Sequence, residues 1–276
     1  MSQTANELII EAGHTERNYW RDLFRYRELF YFLAWRDVLV RYKQTVIGIL
    51  WAVLRPLLTM IVFTFVFSRI AKLPAEGIPY PVMVFVAMLP WQLFATSLSE
   101  GSGSLINNAN LISKVYFPRL IVPASAVIVS FVDFAISMVL LAILMVFYKV
   151  WPGFPILMLP VFTVLALLAS AGAGIWLAAL NVKYRDFRYV VPFIVQFGLY
   201  ISPVGFSSNI VPEKFRLVYS LNPMVGVIDG FRWSVANAST AFPTQSLLLS
   251  LVTVAFLLAT GIWYFRKTER TFADVI

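Results

Sequence analysis

The chain has 276 residues, 60% of them apolar and only 13% charged, with a net charge of +8 and a mean hydropathy of +0.79. A soluble domain carries roughly 45–50% apolar residues with glycine included, so this composition excludes an ordinary soluble domain and a disordered chain and makes lipid the solvent. Cysteine is absent and the one histidine is His14, which removes disulfide frameworks, thiol nucleophiles and His/Cys zinc sites and leaves no cofactor expected on this chain.

In chain order, residues 1–18 form a polar lead. Glu7, Glu11, His14, Glu16 and Arg17 precede any apolar run, so the lead reads as neither a secretory signal nor a transit peptide. Residues 19–44 read as an amphipathic helix. Arg21, Arg25, Glu28, Arg36 and Lys43 share one arc, with Leu23, Phe30, Ala34 and Val38 opposite. Such a helix is expected in the cytoplasmic interface, either as a plain anchor or as a partner-docking element.

Six apolar stretches then have the length of about 20 residues that a bilayer crossing needs: about 45–68, 81–99, 120–147, 154–180, 190–206 and 247–265. They make an all-α membrane domain over 45–270, followed by a tail over 271–276. Six crossings place both termini on one side. Positive residues near span ends stay cytoplasmic, and most of the 22 Lys and Arg fall on the side of the termini. Arg69, Lys72, Lys149, Lys214, Arg216 and Arg232 lie opposite. The basic excess is thus a topology signal, and nucleic acid is not an expected partner.

Two cytoplasmic loops stand out, Asn107–Arg119 and Asn181–Tyr189. Either is a connector or a docking surface, because an apolar-aromatic face held outside the membrane suits a soluble partner. From about 203 to 245 the chain is too polar to span yet rich in apolar residues, and prolines at 203, 212 and 223 cut it into pieces. Two short re-entrant helices over 209–235, meeting near Leu221-Asn222-Pro223-Met224, fit this pattern as a lid or a passive cap at the external mouth.

No G-x-x-x-x-G-K-[ST] loop and no Gly-Lys pair occurs in the chain, so nucleotide has no phosphate cradle here. Asp133 is essentially the one acid within the spans, with Glu100 at the end of the second. Arg55, inside the first span, either snorkels to the cytoplasmic surface or faces a hydrated entrance where its guanidinium attracts phosphate. Trp51, Phe63 and Phe67 in the first span, and Phe193, Phe197 and Tyr200 at helical spacing in the fifth, either meet lipid and protein or form a slippery platform for sugar rings.

The run Tyr42-Lys43-Gln44-Thr45-Val46-Ile47-Gly48-Ile49-Leu50-Trp51 through Leu54-Arg55-Pro56 carries a resemblance. So do Leu111-Ile112 and Phe117-Pro118 in the Asn107–Arg119 loop, the Asn181–Phe187 insert and the Leu221-Asn222-Pro223 turn. Over residues 20 to 270 the chain resembles the permease subunits of ABC transporters that export polysaccharides, closest to O-antigen exporters, with capsule and teichoic-acid exporters as relatives. The resemblance implies a homodimer in the bacterial inner membrane, joined to two cytoplasmic subunits that hold ATP and Mg. An undecaprenyl-diphosphate-linked polysaccharide would pass between the two copies. It further implies ATPase coupling through Arg25, Arg36, Asn108, Leu111, Ile112, Lys114, Tyr116 and Phe117, a path along Trp51, Arg55, Phe63, Phe67, Phe193, Phe197 and Tyr200, and a periplasmic gate at Tyr219, Asn222, Pro223 and Met224. An ion-coupled carrier and a membrane transferase are the rival classes.

Overall fold

The computed structural model describes residues 19–43, 46–75, 77–236 and 241–272, and no strand occurs among them. The expected lead over 1–18, residues 44 and 45, and positions 273–276 of the expected tail lie outside the described residues. The expected N-terminal helix is two, α1 (Tyr19–Arg25) and α2 (Arg27–Tyr42), broken at Tyr26, whose backbone leaves the helical region at φ −88°, ψ 22°. After them, α3 (Val46–Phe63) winds on as a π-helix over Thr64–Ile70. Next come α4 (Tyr80–Asn107), α5 (Ala109–Lys114) and α6 (Ile121–Phe147). A 3₁₀ turn over Phe154–Met158 leads into α7 (Leu159–Lys183), and α8 (Phe187–Ile201) follows. The chain closes with α9 (Glu213–Tyr219), α10 (Pro223–Val235) and α11 (Thr244–Thr268).

α4 continues past the expected end at 99 into a polar run because that run satisfies itself. The Ser102 and Ser104 hydroxyls donate to the carbonyls of Ser99 and Gly101 at 2.9 and 2.7 Å, and the Asn108 amide donates to Ser104 O at 2.9 Å. Hydroxyls bonded back to their own helix remove the cost of carrying polar side chains at depth. α4 is also the hub of the bundle, packed against α3, α6, α7, α8 and α10. Val82, Met83, Val84, Phe85, Val86 and Ala87 are all 0% exposed, so this helix is surrounded by protein on every side.

The bundle has two distinct ends. At one, Tyr19, Leu33, Ile112, Phe117, Leu120, Phe265 and Phe272 form a separate apolar core, which joins α1, α2, the α5 loop and the last turns of α11. Glu269 ties this end together: it accepts from the Arg119 backbone N–H at 2.9 Å and from the Tyr19 hydroxyl at 3.4 Å. Burial, and then the Glu269 charge, push the Tyr19 phenol up, so it stays a donor. At the other end α10 packs against α11, α9 shares a cavity with both, and the Tyr80 hydroxyl at the head of α4 donates to Gly205 O at 2.5 Å.

Five helical segments among the described residues are long and apolar enough to cross a membrane: Leu50–Ile70, Tyr80–Asn107, Ile121–Phe147, Phe154–Lys183 and Thr244–Thr271. The expected count of six is not met by length alone. The stretch anticipated over 190–206 forms α8, of 15 residues, about 22 Å at 1.5 Å per residue against a hydrocarbon core of about 30 Å. Beyond it, Ser202–Phe206 leaves the helix and runs to the end of the bundle where Tyr80 holds Gly205.

Candidate functional site

A cavity of about 590 Å³ opens between α3, α4, α6 and α8, with the last turn of α2 at its border. Its walls combine apolar surface with Gln92, Thr96, Ser130, Ser137 and Gln196, and both Trp51 and Arg55 line it. The Arg55 carbonyl accepts from the Thr59 hydroxyl at 2.9 Å, while its guanidinium makes no hydrogen bond or ion pair among the described residues and stands in the wall. Arg55 lies five residues, about 8 Å, into the membrane-length segment that begins at Leu50, where a hydrated cavity lowers the cost of a cation. Trp91 shapes the wall facing α8: a Cβ placed on Gly198 would lie 2.5 Å from its ring, so only glycine lets α8 approach α4 this closely.

The border of the cavity carries a charged clamp. The Tyr42 hydroxyl donates to Asp133 Oδ1, while Arg41 Nη1 lies 3.3 Å from Asp133 Oδ2 and 3.7 Å from Glu100 Oε1. Burial and then the hydrogen bond to Asp133 push the Tyr42 phenol up, which keeps its proton in place as the donor. Further back on α2, Arg36 donates to Asn108 Oδ1 at 2.8 Å and pairs with Asp37 at 2.7 Å. Because Arg36 meets Asn108 and Arg41 meets Glu100, α2 runs antiparallel to α4 and ends against α6. The clamp was only partly legible in the sequence: Asp133 stood out as an acid in a span, but nothing local pointed to Arg41 and Tyr42 as its partners.

The residues implied in ATPase coupling divide by burial. Ile112 and Phe117 are 5% and 4% exposed, and Leu111 packs beside them; these three hold the loop's shape from inside. Lys114, Val115 and Tyr116 are exposed, as is Arg25 at the end of α1. Arg36 donates to Asn108 Oδ1, joining the loop to α2.

The residues implied in the path also divide. Trp51 and Arg55 line the cavity, whereas Phe193, Phe197 and Tyr200 stand on the outer face of α8, 57%, 50% and 60% exposed. Phe193 and Phe197 lie 4.2 Å apart between ring centroids. Tyr200 stacks on Phe63 at 6.4 Å, and Phe63 meets Phe67 edge-on at 5.4 Å. Phe63 is itself buried, so it backs the aromatic row from behind. Leu58, Ile61 and Val62 of α3 and Phe65 of the π-helix after it are exposed as well.

At the opposite end, the implied gate residues stand at the junction of α9 and α10. Asn222 Oδ1 accepts from Met224 N at 3.0 Å, capping α10, and its amide donates to Ser202 Oγ at 2.9 Å. Pro223 occupies the first turn of α10, where a missing N–H is harmless, and Met224 is fully buried. Sequence reading counted Arg232 only among the basic residues opposite the termini; it is 3% exposed and donates to Phe206 O at 2.7 Å and Val204 O at 3.0 Å. A cation in a mostly apolar helix was the available signal. It staples the irregular chain after α8 onto α10, and Tyr219 sits beside it, its phenol pushed up by burial and by Asp229.

A helical bundle with several membrane-length spans, a polar cavity among them and an aromatic row left uncovered defines a multi-pass membrane transport protein. The chain belongs to the ABC-2 type transporter family, which residues 28–236 match. It is 30% identical over 262 residues to the O-antigen export system permease protein RfbA of Myxococcus xanthus, covering 93% of this chain and 98% of that protein. A Klebsiella pneumoniae protein of the same name is 27% identical over 242 residues, 87% of this chain and 92% of the relative. The polysialic acid transport protein KpsM of Escherichia coli is 21% identical over 235 residues, 85% and 91% respectively. Membership in this family implies a partner ATP-binding subunit.

Proposed function

We propose that this chain is the membrane subunit of an ATP-driven exporter of lipid-linked polysaccharide, with O-antigen as the polymer, in the bacterial inner membrane. The observation that carries this reading is the end-to-end similarity to permeases named for O-antigen export, combined with an uncovered aromatic row beside a polar cavity. Two copies meet through the exposed faces of α3 and α8, so the rows of Phe193, Phe197 and Tyr200 line a conduit between them. Aromatic faces suit this task because stacking on a sugar ring tolerates changes of sugar and lets the chain slide.

α8 with Ser202–Phe206 serves as the sixth crossing, and both termini are then cytoplasmic. The distribution of basic residues supports that orientation, since Lys43, Lys114, Arg119, Lys183, Arg185, Arg188, Arg266 and Lys267 all fall near span ends on that side. ATP and Mg belong to two cytoplasmic partner subunits. They dock on Lys114, Val115 and Tyr116 together with α1 and α2, and their closure is passed through the Arg36–Asn108 bond and the Asp133 clamp to α4 and α6. Arg55 and the cavity face the entering undecaprenyl-diphosphate group. The similarity to KpsM supports capsular polymer as a second reading.

The test is export in a strain lacking its own permease. Co-expression of this chain with its ATP-binding subunit should place polymer on the outer surface, and either subunit alone should leave it inside. Export by this chain without the partner would overturn the reading.

A further inference from the structure

A second cavity, of about 320 Å³, lies between α9, α10 and the first turn of α11. Small-molecule pockets run from about 300 to 1,000 Å³, so it suits a single small ligand. Its walls are polar: Arg216, Tyr219, Asp229, Arg232 and Gln245 contribute, with Phe242 as an apolar panel. The Tyr219 hydroxyl is buried in this wall and has no hydrogen-bond partner among the described residues. A buried O–H without an acceptor is costly, and it is the kind of group a ligand satisfies.

The cavity is held open by rigid parts. Gly226 N donates to Ser250 Oγ at 3.1 Å, and a Cβ on Gly226 would fall 2.5 Å from Ser246 O, so α10 and α11 touch backbone to backbone. Phe242 is braced edge-on by Trp233 at 4.9 Å between centroids. Arg216 is fixed by bonds to Val211 O at 3.1 Å and Asn209 O at 3.2 Å.

We infer that this pocket binds one sugar ring at the exit end of the protein. The walls offer donors (Tyr219, Arg216, Gln245), acceptors (Asp229, Gln245) and an aromatic panel together, and sugar hydroxyls both donate and accept while the C–H face of the ring packs on an aromatic. A lipid tail would meet a polar wall. The inference rests on the export reading, which brings a sugar polymer to this end, and it adds a binding site off the conduit that holds α9 and α10 against α11 while sugar is present.

The test uses full-length protein with its ATP-binding partner in nanodiscs, titrated with the methyl glycosides of mannose, galactose and N-acetylglucosamine and, separately, with inorganic phosphate, read by saturation-transfer NMR. At least one glycoside should bind saturably. Tyr219→Phe should weaken it about tenfold, the loss of roughly one good hydrogen bond, while the melting temperature stays level or rises because an unpaired buried O–H has been removed. Gln245→Ala, at an exposed position, should weaken it as well. Absence of saturable glycoside binding, equal binding by both variants, or saturable phosphate binding in place of sugar would overturn the site. Polymer export measured on the same complex separates the two ideas: export without glycoside binding removes the pocket alone, and failure of export removes the reading beneath it.

Discussion

α4 and α8 are both apolar enough in sequence to be read as spans, and the bundle uses them in opposite ways. α4 is enclosed, with most of its residues from Tyr80 to Leu105 buried. α8 buries little beyond Val191 and turns Phe193, Phe197 and Tyr200 outward. Apolar character in the first supplies packing; in the second it supplies a surface. A substitution in α4 should therefore be felt as lost stability, and one on the face of α8 as lost transport by a folded protein.

The largest effect that would sharpen this contrast is Phe85→Ala in α4. Emptying a fully enclosed aromatic site should cost about 3–5 kcal/mol, seen as a marked fall in melting temperature and in the yield of purified protein. An unchanged melting temperature would mean that α4 is not the structural hub. Next is Tyr116→Asp at the exposed tip of the α5 loop. A carboxylate buried unpaired in a docked surface should weaken partner binding by more than about tenfold, so export should stop while the isolated partner still hydrolyses ATP; normal export would remove the loop from the docking surface.

A smaller effect is expected from Phe197→Ala combined with Tyr200→Ala. Each aromatic contact is worth about 0.5–1.5 kcal/mol, which should lower polymer flux several-fold with the melting temperature nearly unmoved. A large stability loss instead would assign the α8 face to packing and dissolve the contrast. Smallest is Tyr42→Phe, which removes one hydrogen bond from the clamp while Arg41 stays on Asp133. A loss of about 0.5–1.5 kcal/mol should appear as a slightly lower melting temperature and a lower ratio of polymer exported to ATP hydrolysed. An unchanged ratio would mean that the clamp does not transmit partner movement.

Much of the architecture could be read from the chain before folding was considered. Runs of apolar residues marked the long spans to within a few positions, and Asn222-Pro223 marked the start of α10. The misreadings were local and have physical causes. α2 was drawn through Tyr26 because hydropathy does not register a single residue leaving the helical region. α4 was stopped at 99 because Ser102 and Ser104 look polar until their hydroxyls are seen to bond within their own helix.

Site residues were legible as types and not as partners. Arg55 and Trp51 were placed on a path by being unusual in a span, and they do line one cavity. Phe193 and Phe197, named on the same path, stand exposed on α8 outside that cavity. The Tyr42–Asp133 bond joins residues 91 positions apart, and Arg232 reaches carbonyls 26 and 28 positions back, distances over which no periodicity carries information.

Residue order alone settled that this is a helical membrane protein, roughly where its helices run, and which end gathers positive charge, because transfer to lipid is a sum over neighbouring side chains. Folding in three dimensions decided which side of each helix is inside. In water an apolar stripe announces the buried face; in a bilayer the lipid side is as apolar as the interior, so rotation about each helix axis is left to small residues, close contacts and a few polar bonds such as those of Gly198, Asp133 and Arg232.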